Sequence, residues 1–233
     1  KNLCSGTELP EVFPDLKDPD FKTSAAIFHR RYSTNTTPKF ALAQPFGVVV
    51  HNGEINTNPA NVNAVRDFER AARLFFKILM RQGSDSANLD RMVEYFMANG
   101  ISLEETLRRF MMPPWKDALQ VPDQVKAYYD GCRRALGNLA VMEGPAAVAA
   151  LSGDKLVASL DKLGLRPLRV METKDGMLIV ASELGAVDID AENIARTSQV
   201  NPGEIIVVNT KTGEILEGMD VERSIVEGTP INF

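Results

Sequence analysis

The sequence is short of the residues that build most metal and redox centres, with two cysteines and two histidines in 233 residues. Cys4 and Cys132 are too far apart for a CxxC motif and too few for a disulfide framework, so a reducing cytoplasmic setting is expected. His29 and His51, the only imidazoles, argue against a His/Cys zinc site, and no metal is expected. No apolar run reaches the roughly 18 residues that span a bilayer, 146–151 being among the longest. Positive charge is also scarce: 26 Lys and Arg against 31 Asp and Glu give a net −5, without the basic face of a nucleic-acid binder. Neither a membrane nor a nucleic acid is therefore expected as a partner. GxGxxG and Walker motifs are absent. An initiator Met and a signal-peptide core are lacking too, so the chain is expected to be a piece of a longer polypeptide.

What is present is globular. The 44% hydrophobic and 24% charged residues are average for a folded domain, and the length suits one large domain or two small ones. With no repeat or linker, residues 1–233 are expected to form a single domain. Pro10, Pro14 and Pro19 make residues 1–20 an extended approach segment.

Short apolar runs at 24–32 and 46–51 predict two strands bracketing a polar loop. From 61 to 81, Val62, Val65, Phe68, Ala72, Phe75 and Leu79 form the stripe of one helix face. Helical pattern resumes over 92–99, and Ser102 with Glu105 forms a capping box that opens a helix to about Met111, stopped by Pro113-Pro114. A further helix is expected over 124–136. Beyond Gly144 the apolar runs 146–151, 156–160, 168–171, 177–181 and 205–209 read as a strand meander with turns at 152–154 and 210–213. Helices grouped between strands do not alternate as βαβα, so the fold class is α+β.

Four constellations could carry chemistry. Residues 29–36, from His29 to Thr36, follow a predicted strand and are dense in donors. Arg31 there could hold a carboxylate through paired N–H bonds, or the segment could be a solvated turn. His51-Asn52-Gly53-Glu54 carries the Asn-Gly signal of a hairpin turn. The same pair could aim a side-chain amide and a backbone N–H at one oxyanion, as acyl transfer requires. In Gly83-Ser84-Asp85-Ser86, Asp85 is a helix cap or a carboxylate that recognises an ammonium. Asp161 to Pro167 is, alone, a loop with an Arg fixed before a proline.

Together, in this order, these strings resemble the class II glutamine amidotransferases, and among them the glutaminase domains of glutamate synthase large subunits. The resemblance runs through Arg31 to Thr36, Ala43-Gln44-Pro45-Phe46, His51 to Thr57, Gly83 to Ala87, Pro114-Trp115, Asp161 to Pro167, Ala181-Ser182-Glu183 and Pro202-Gly203-Glu204. It implies the C-terminal part of an N-terminal-nucleophile hydrolase, a four-layer αββα sandwich. It implies that Arg31, with Thr34, holds the α-carboxylate of L-glutamine, that Asp85 accepts the α-ammonium, and that Asn52 and Gly53 form the oxyanion hole. The family's nucleophile is an N-terminal Cys whose own amine is the base. Cys4 is preceded by three residues and cannot present a free α-amine, so another segment or chain is expected to bring that Cys. The resemblance places FMN and iron–sulfur clusters in partner domains or subunits of glutamate synthase. Two other readings stand beside this one: a non-catalytic regulatory or structural subunit that keeps the fold, and the glutaminase part of another amidotransferase.

Overall fold

A computed structural model of the chain describes residues 3–33, 37–80, 83–136 and 143–228. The approach segment forms the short helix α1 (Leu9–Val12) and a 3-10 turn, Pro14–Lys17, with no buried residue in either. The strand expected at 24–32 is not formed. Ala25, Ile27 and His29 alternate with the exposed Ala26, Phe28 and Arg30, so the backbone has the strand period, yet it pairs with no strand among the described residues. The first strand is β1 (Val49–Gly53).

Helix α2 (Pro59–Ala71) starts where Asn58 and Asn61 exchange side-chain to backbone bonds and Pro59 fills the first helical position. It ends ten residues before the predicted stop at 81. Arg73 adopts a φ of 51°, and Leu74 N–H closes back on Glu69 C=O at 3.0 Å, the six-residue closure that usually uses glycine. The buried Glu69 carboxylate then accepts from Ile78 N–H at 2.7 Å and pairs with Lys77 at 3.2 Å, folding residues 74–80 back on the helix end. Ser84 caps α3 (Asp85–Ala98) and Ser102 caps α4 (Leu103–Phe110). Glu105 turns to Arg109 instead of completing the expected capping box. The short α5 (Trp115–Ala118) and α6 (Asp123–Leu136) follow.

The C-terminal half is a meander of β2 (Ala146–Ser152), β3 (Lys155–Leu160), β4 (Arg169–Thr173), β5 (Leu178–Ala181), β6 (Ile194–Gln199), β7 (Ile205–Asn209) and β8 (Ile215–Glu217), ending in α7 (Met219–Gly228). Five runs fall where the apolar pattern put them; β6, β8 and α7 were not anticipated. All pairings between these strands are antiparallel. One sheet has the order β1-β2-β3-β7-β8, the other β5-β4-β6.

One face of the five-stranded sheet, with Val49, Val148, Ala150, Val157, Ile205 and Val207, packs on the apolar sides of α3, α4, α6 and α7. The other face, with Ala147, Ala158, Ile206 and Val208, meets Val170 of the second sheet and the adjoining Leu168 and Val200. The two clusters fall on opposite faces because side chains alternate along a strand. The described residues thus supply three of the four expected layers, helices, sheet and sheet, and the class is α+β as expected. Across the helix layer, the fully buried Arg108 of α4 pairs with Glu222 of α7 at 2.5 Å and donates to the carbonyls of Met111 (3.0 Å) and Gly203 (2.8 Å).

Candidate functional site

Strand β1 lies at the edge of its sheet, and its register decides which backbone groups face outward. Leu151 N–H bonds Val48 C=O and Glu54 N–H bonds Pro145 C=O, so residues 48 and 54 are hydrogen-bonded positions towards β2. In an antiparallel ladder such positions alternate. Val49, His51 and Gly53 therefore turn their N–H groups away from the sheet. Two of them meet side chains: Val49 N–H bonds Asp90 Oδ1 at 2.8 Å, and His51 N–H bonds Gln44 Oε1 at 2.7 Å. The third, Gly53 N–H, points off the edge beside the exposed Asn52.

Asn52-Gly53 is thus no hairpin turn; it is the end of a strand. Gly53 has a φ of +135°, and a Cβ there would lie 2.0 Å from Pro145 O, so conformation and space both demand glycine. The wall behind it is fixed by the fourth constellation. Asp161 accepts from Ala146 N–H (3.0 Å), Leu163 N–H (2.6 Å) and Gly164 N–H (3.1 Å), which ties the start of β2 to the Asp161–Gly164 turn.

The first turn of α3 stands next to the end of β1. Ser84 is the N-cap, so Asp85, the first helical residue, is not spent on capping. Its half-buried carboxylate accepts from Thr57 Oγ1, three residues beyond Glu54. Ser86 Oγ lies 2.6 Å from His51 Nε2. Deeper in the helix, Asp90 gathers the N–H groups of Gly47 (3.0 Å), Val48 (2.9 Å) and Val49. Through the His51–Ser86 and Thr57–Asp85 contacts the helix turn that carries Asp85 is joined to the strand end that carries Asn52 and Gly53. Arg31 is exposed in a loop whose backbone N–H bonds His29 Nδ1 at 3.1 Å. It lines an open depression of about 70 Å³ with Cys4, Tyr32, Ser33, Lys39 and Gln44, and Gln44 is its link to β1. Thr34 lies outside the described residues. Gln44, Thr57 and Asp90, which wire the site, had no separate signal in sequence; all act across the chain on partners fixed only by folding.

Burial, with a smaller contribution from His29, depresses the His51 imidazole to about 4. The folded state then resists protonation between that value and the ordinary 6.5. Its contribution is intact above pH 6.5 and is lost as the pH falls through 4, by about 3 kcal/mol in all. Urea unfolding at pH 7 and pH 4.5 should show this loss in the native chain and a smaller one in His51→Gln; equal losses in both would remove His51 as the cause. Burial raises the Cys132 thiol instead, which makes it a poor nucleophile.

No helix of the described residues is long and apolar enough to cross a membrane, and none of their His, Cys, Asp and Glu groupings could hold a metal ion.

The sequence profile of the class-II glutamine amidotransferases matches residues 1–232, and the chain belongs to that family. Relatives include the ferredoxin-dependent glutamate synthase of Cyanidium caldarium, 34% identical over 99% of this chain and 15% of that protein. The glutamate synthase [NADPH] large chain of Bacillus subtilis is 31% identical over 99% of the chain and 16% of its own length. The glutamate synthase [NADH] of Schizosaccharomyces pombe is 34% identical over 97% and 11%. The chain thus spans about 15% of the length of such relatives. Among solved structures, the glutamine phosphoribosylpyrophosphate amidotransferase from B. subtilis aligns with 82% of this chain and 33% of its own at 20% identity and a TM-score of 0.48.

Proposed function

We propose that this chain is the glutamine-binding part of the glutaminase domain of a glutamate synthase. The observation that carries the reading is the outward Gly53 N–H beside Asn52, with the Asp85 carboxylate, not spent on capping α3, held by Thr57 in the adjoining helix turn. Asp85 receives the α-ammonium of L-glutamine, and Arg31, with Thr34, takes its α-carboxylate. The Asn52 amide and the Gly53 N–H meet the oxyanion that forms when a cysteine thiolate adds to the side-chain carbonyl. Collapse of that adduct expels ammonia and leaves a γ-glutamyl thioester, which water cleaves to glutamate. The ammonia serves glutamate formation from 2-oxoglutarate in other domains or subunits of the synthase.

The attacking cysteine comes from another segment or chain, since Cys132 is buried and Cys4 has no free α-amine. FMN and iron–sulfur clusters belong to those other domains or subunits; the two cysteines here fall short of the four thiolates that such a cluster uses. A reducing cytoplasmic compartment suits the free thiols.

The test is made in the complete synthase. Arg31→Ala and Asp85→Ala each leave a charged end of glutamine unpaired, which costs roughly 2–4 kcal/mol, or about 30- to 1000-fold in glutamine-dependent synthesis. Synthesis from added ammonia bypasses the site and is expected to persist. Normal use of glutamine by both variants would instead favour a subunit that keeps the fold without the chemistry.

A further inference from the structure

Three proposed binding elements meet at a residue to which none of them assigns a task. The backbone N–H of His51 bonds Gln44 Oε1, on the segment that lines the Arg31 depression. Its Nε2 contacts Ser86 Oγ, one residue from Asp85 in the first turn of α3. The next two residues in the chain are Asn52 and Gly53. We infer that His51 is a positioning residue whose contact with Ser86 sets the separation between Asp85 and the Asn52–Gly53 amides, and so selects for a ligand with an ammonium at one end and a carboxamide at the other. The inference rests on the proposed roles of Asp85, Asn52 and Gly53.

Packing alone does not account for an imidazole at this position. His51 is 7% exposed, and its Nδ1 is buried without a hydrogen-bond partner among the described residues. An apolar side chain would fill the space and leave no nitrogen unpaired. The imidazole is therefore present for its other nitrogen. A buried orphan acceptor is tolerated better than an orphan N–H, which assigns the proton to Nε2 and makes that nitrogen the donor to Ser86. A cap such as Ser84 satisfies the helix's own amides but does not tie the helix to the sheet. The His51–Ser86 bond makes that tie between the strand end that carries Asn52 and Gly53 and the helix turn that carries Asp85. The ring also stays uncharged at neutral pH, so it does not compete with a ligand ammonium for Asp85. His51 touches no reacting atom in this arrangement.

Isothermal titration of the full-length synthase with two probes tests the inference: L-glutamine, and 4-carbamoylbutanoate, the same molecule without its α-amino group. The native enzyme is expected to prefer glutamine. His51→Leu and Ser86→Ala should each lower that preference about tenfold, the double variant should lower it no further, and His51→Gln, whose amide can still donate to Ser86, should recover most of it. A merely structural loss would weaken both ligands alike and leave the ratio unchanged. An unchanged ratio in Ser86→Ala, which keeps the buried ring and avoids any folding defect of His51→Leu, overturns the inference. A native enzyme that binds both probes equally overturns the Asp85 reading beneath it.

Discussion

Gly53→Ala is expected to damage the fold and the site at once. Alanine rarely adopts a φ of +135°, and its methyl carbon would stand 2.0 Å from Pro145 O, a backbone atom that Asp161 holds in place through Ala146. Relief requires the end of β1 to move away from β2, which breaks the bond from Glu54 N–H to Pro145 C=O. Strain of this kind, added to a lost backbone bond, amounts to about 3 kcal/mol. The same movement swings the Gly53 N–H away from its present direction, so glutamine-dependent synthesis should fall at least as far as in the Arg31 and Asp85 variants. Urea midpoints and glutamine turnover measured on one preparation would check both halves. Native stability together with native turnover would show that the close approach to Pro145 is not a constraint.

The second large effect is expected at the ion pair under the helix layer. Arg108 and Glu222 have side chains 2% and 7% exposed and lie 2.5 Å apart. Glu222→Ala leaves a buried guanidinium whose hydrogen bonds to the carbonyls of Met111 and Gly203 do not neutralise its charge, and should destabilise the fold by about 3–5 kcal/mol. Replacing both residues together, as Arg108→Met with Glu222→Leu, removes the uncompensated charge and should recover most of that loss. A double-mutant cycle in guanidinium chloride measures the coupling; additive losses would mean that the pair is not what joins α4 to α7. Gly203 shares in this junction, because a Cβ on it would stand 2.8 Å from Pro113 Cα.

Local signals in the sequence carried the parts of the fold that depend on neighbours in the chain. Ser102 announced α4, and the apolar runs at 146–151 and 205–209 announced strands buried on both faces. Strand β6, Ile194–Gln199, was invisible because it is an edge strand with Arg196, Thr197 and Gln199 exposed, so no apolar run marks it. The stripe of α2 ran on to Leu79, but the turn at Arg73 that ends the helix depends on Glu69 receiving Ile78 and Lys77, a contact that periodicity does not encode. Among site residues, Asn52, Gly53 and Asp85 were legible only as a set, since each alone is ordinary turn or cap chemistry. The bonds from Gln44, Thr57 and Asp90 that place them link positions whose partners no local pattern specifies.

The single carboxylate of Asp90 has a consequence beyond holding a loop. An outermost strand presents a row of free amides to which a foreign strand can add, the usual route to aggregation. Here Asp90 occupies the N–H group of Val49, Gln44 occupies that of His51, and Phe46 N–H takes the carbonyl of Val49. The flank of β1 is thereby closed to another chain by three neighbours, and among the described residues only the amide of Gly53 is given no such cover. A feature that would invite uncontrolled association if it ran the length of the strand is cut down to one N–H, too little to template a strand but enough to receive one oxygen atom.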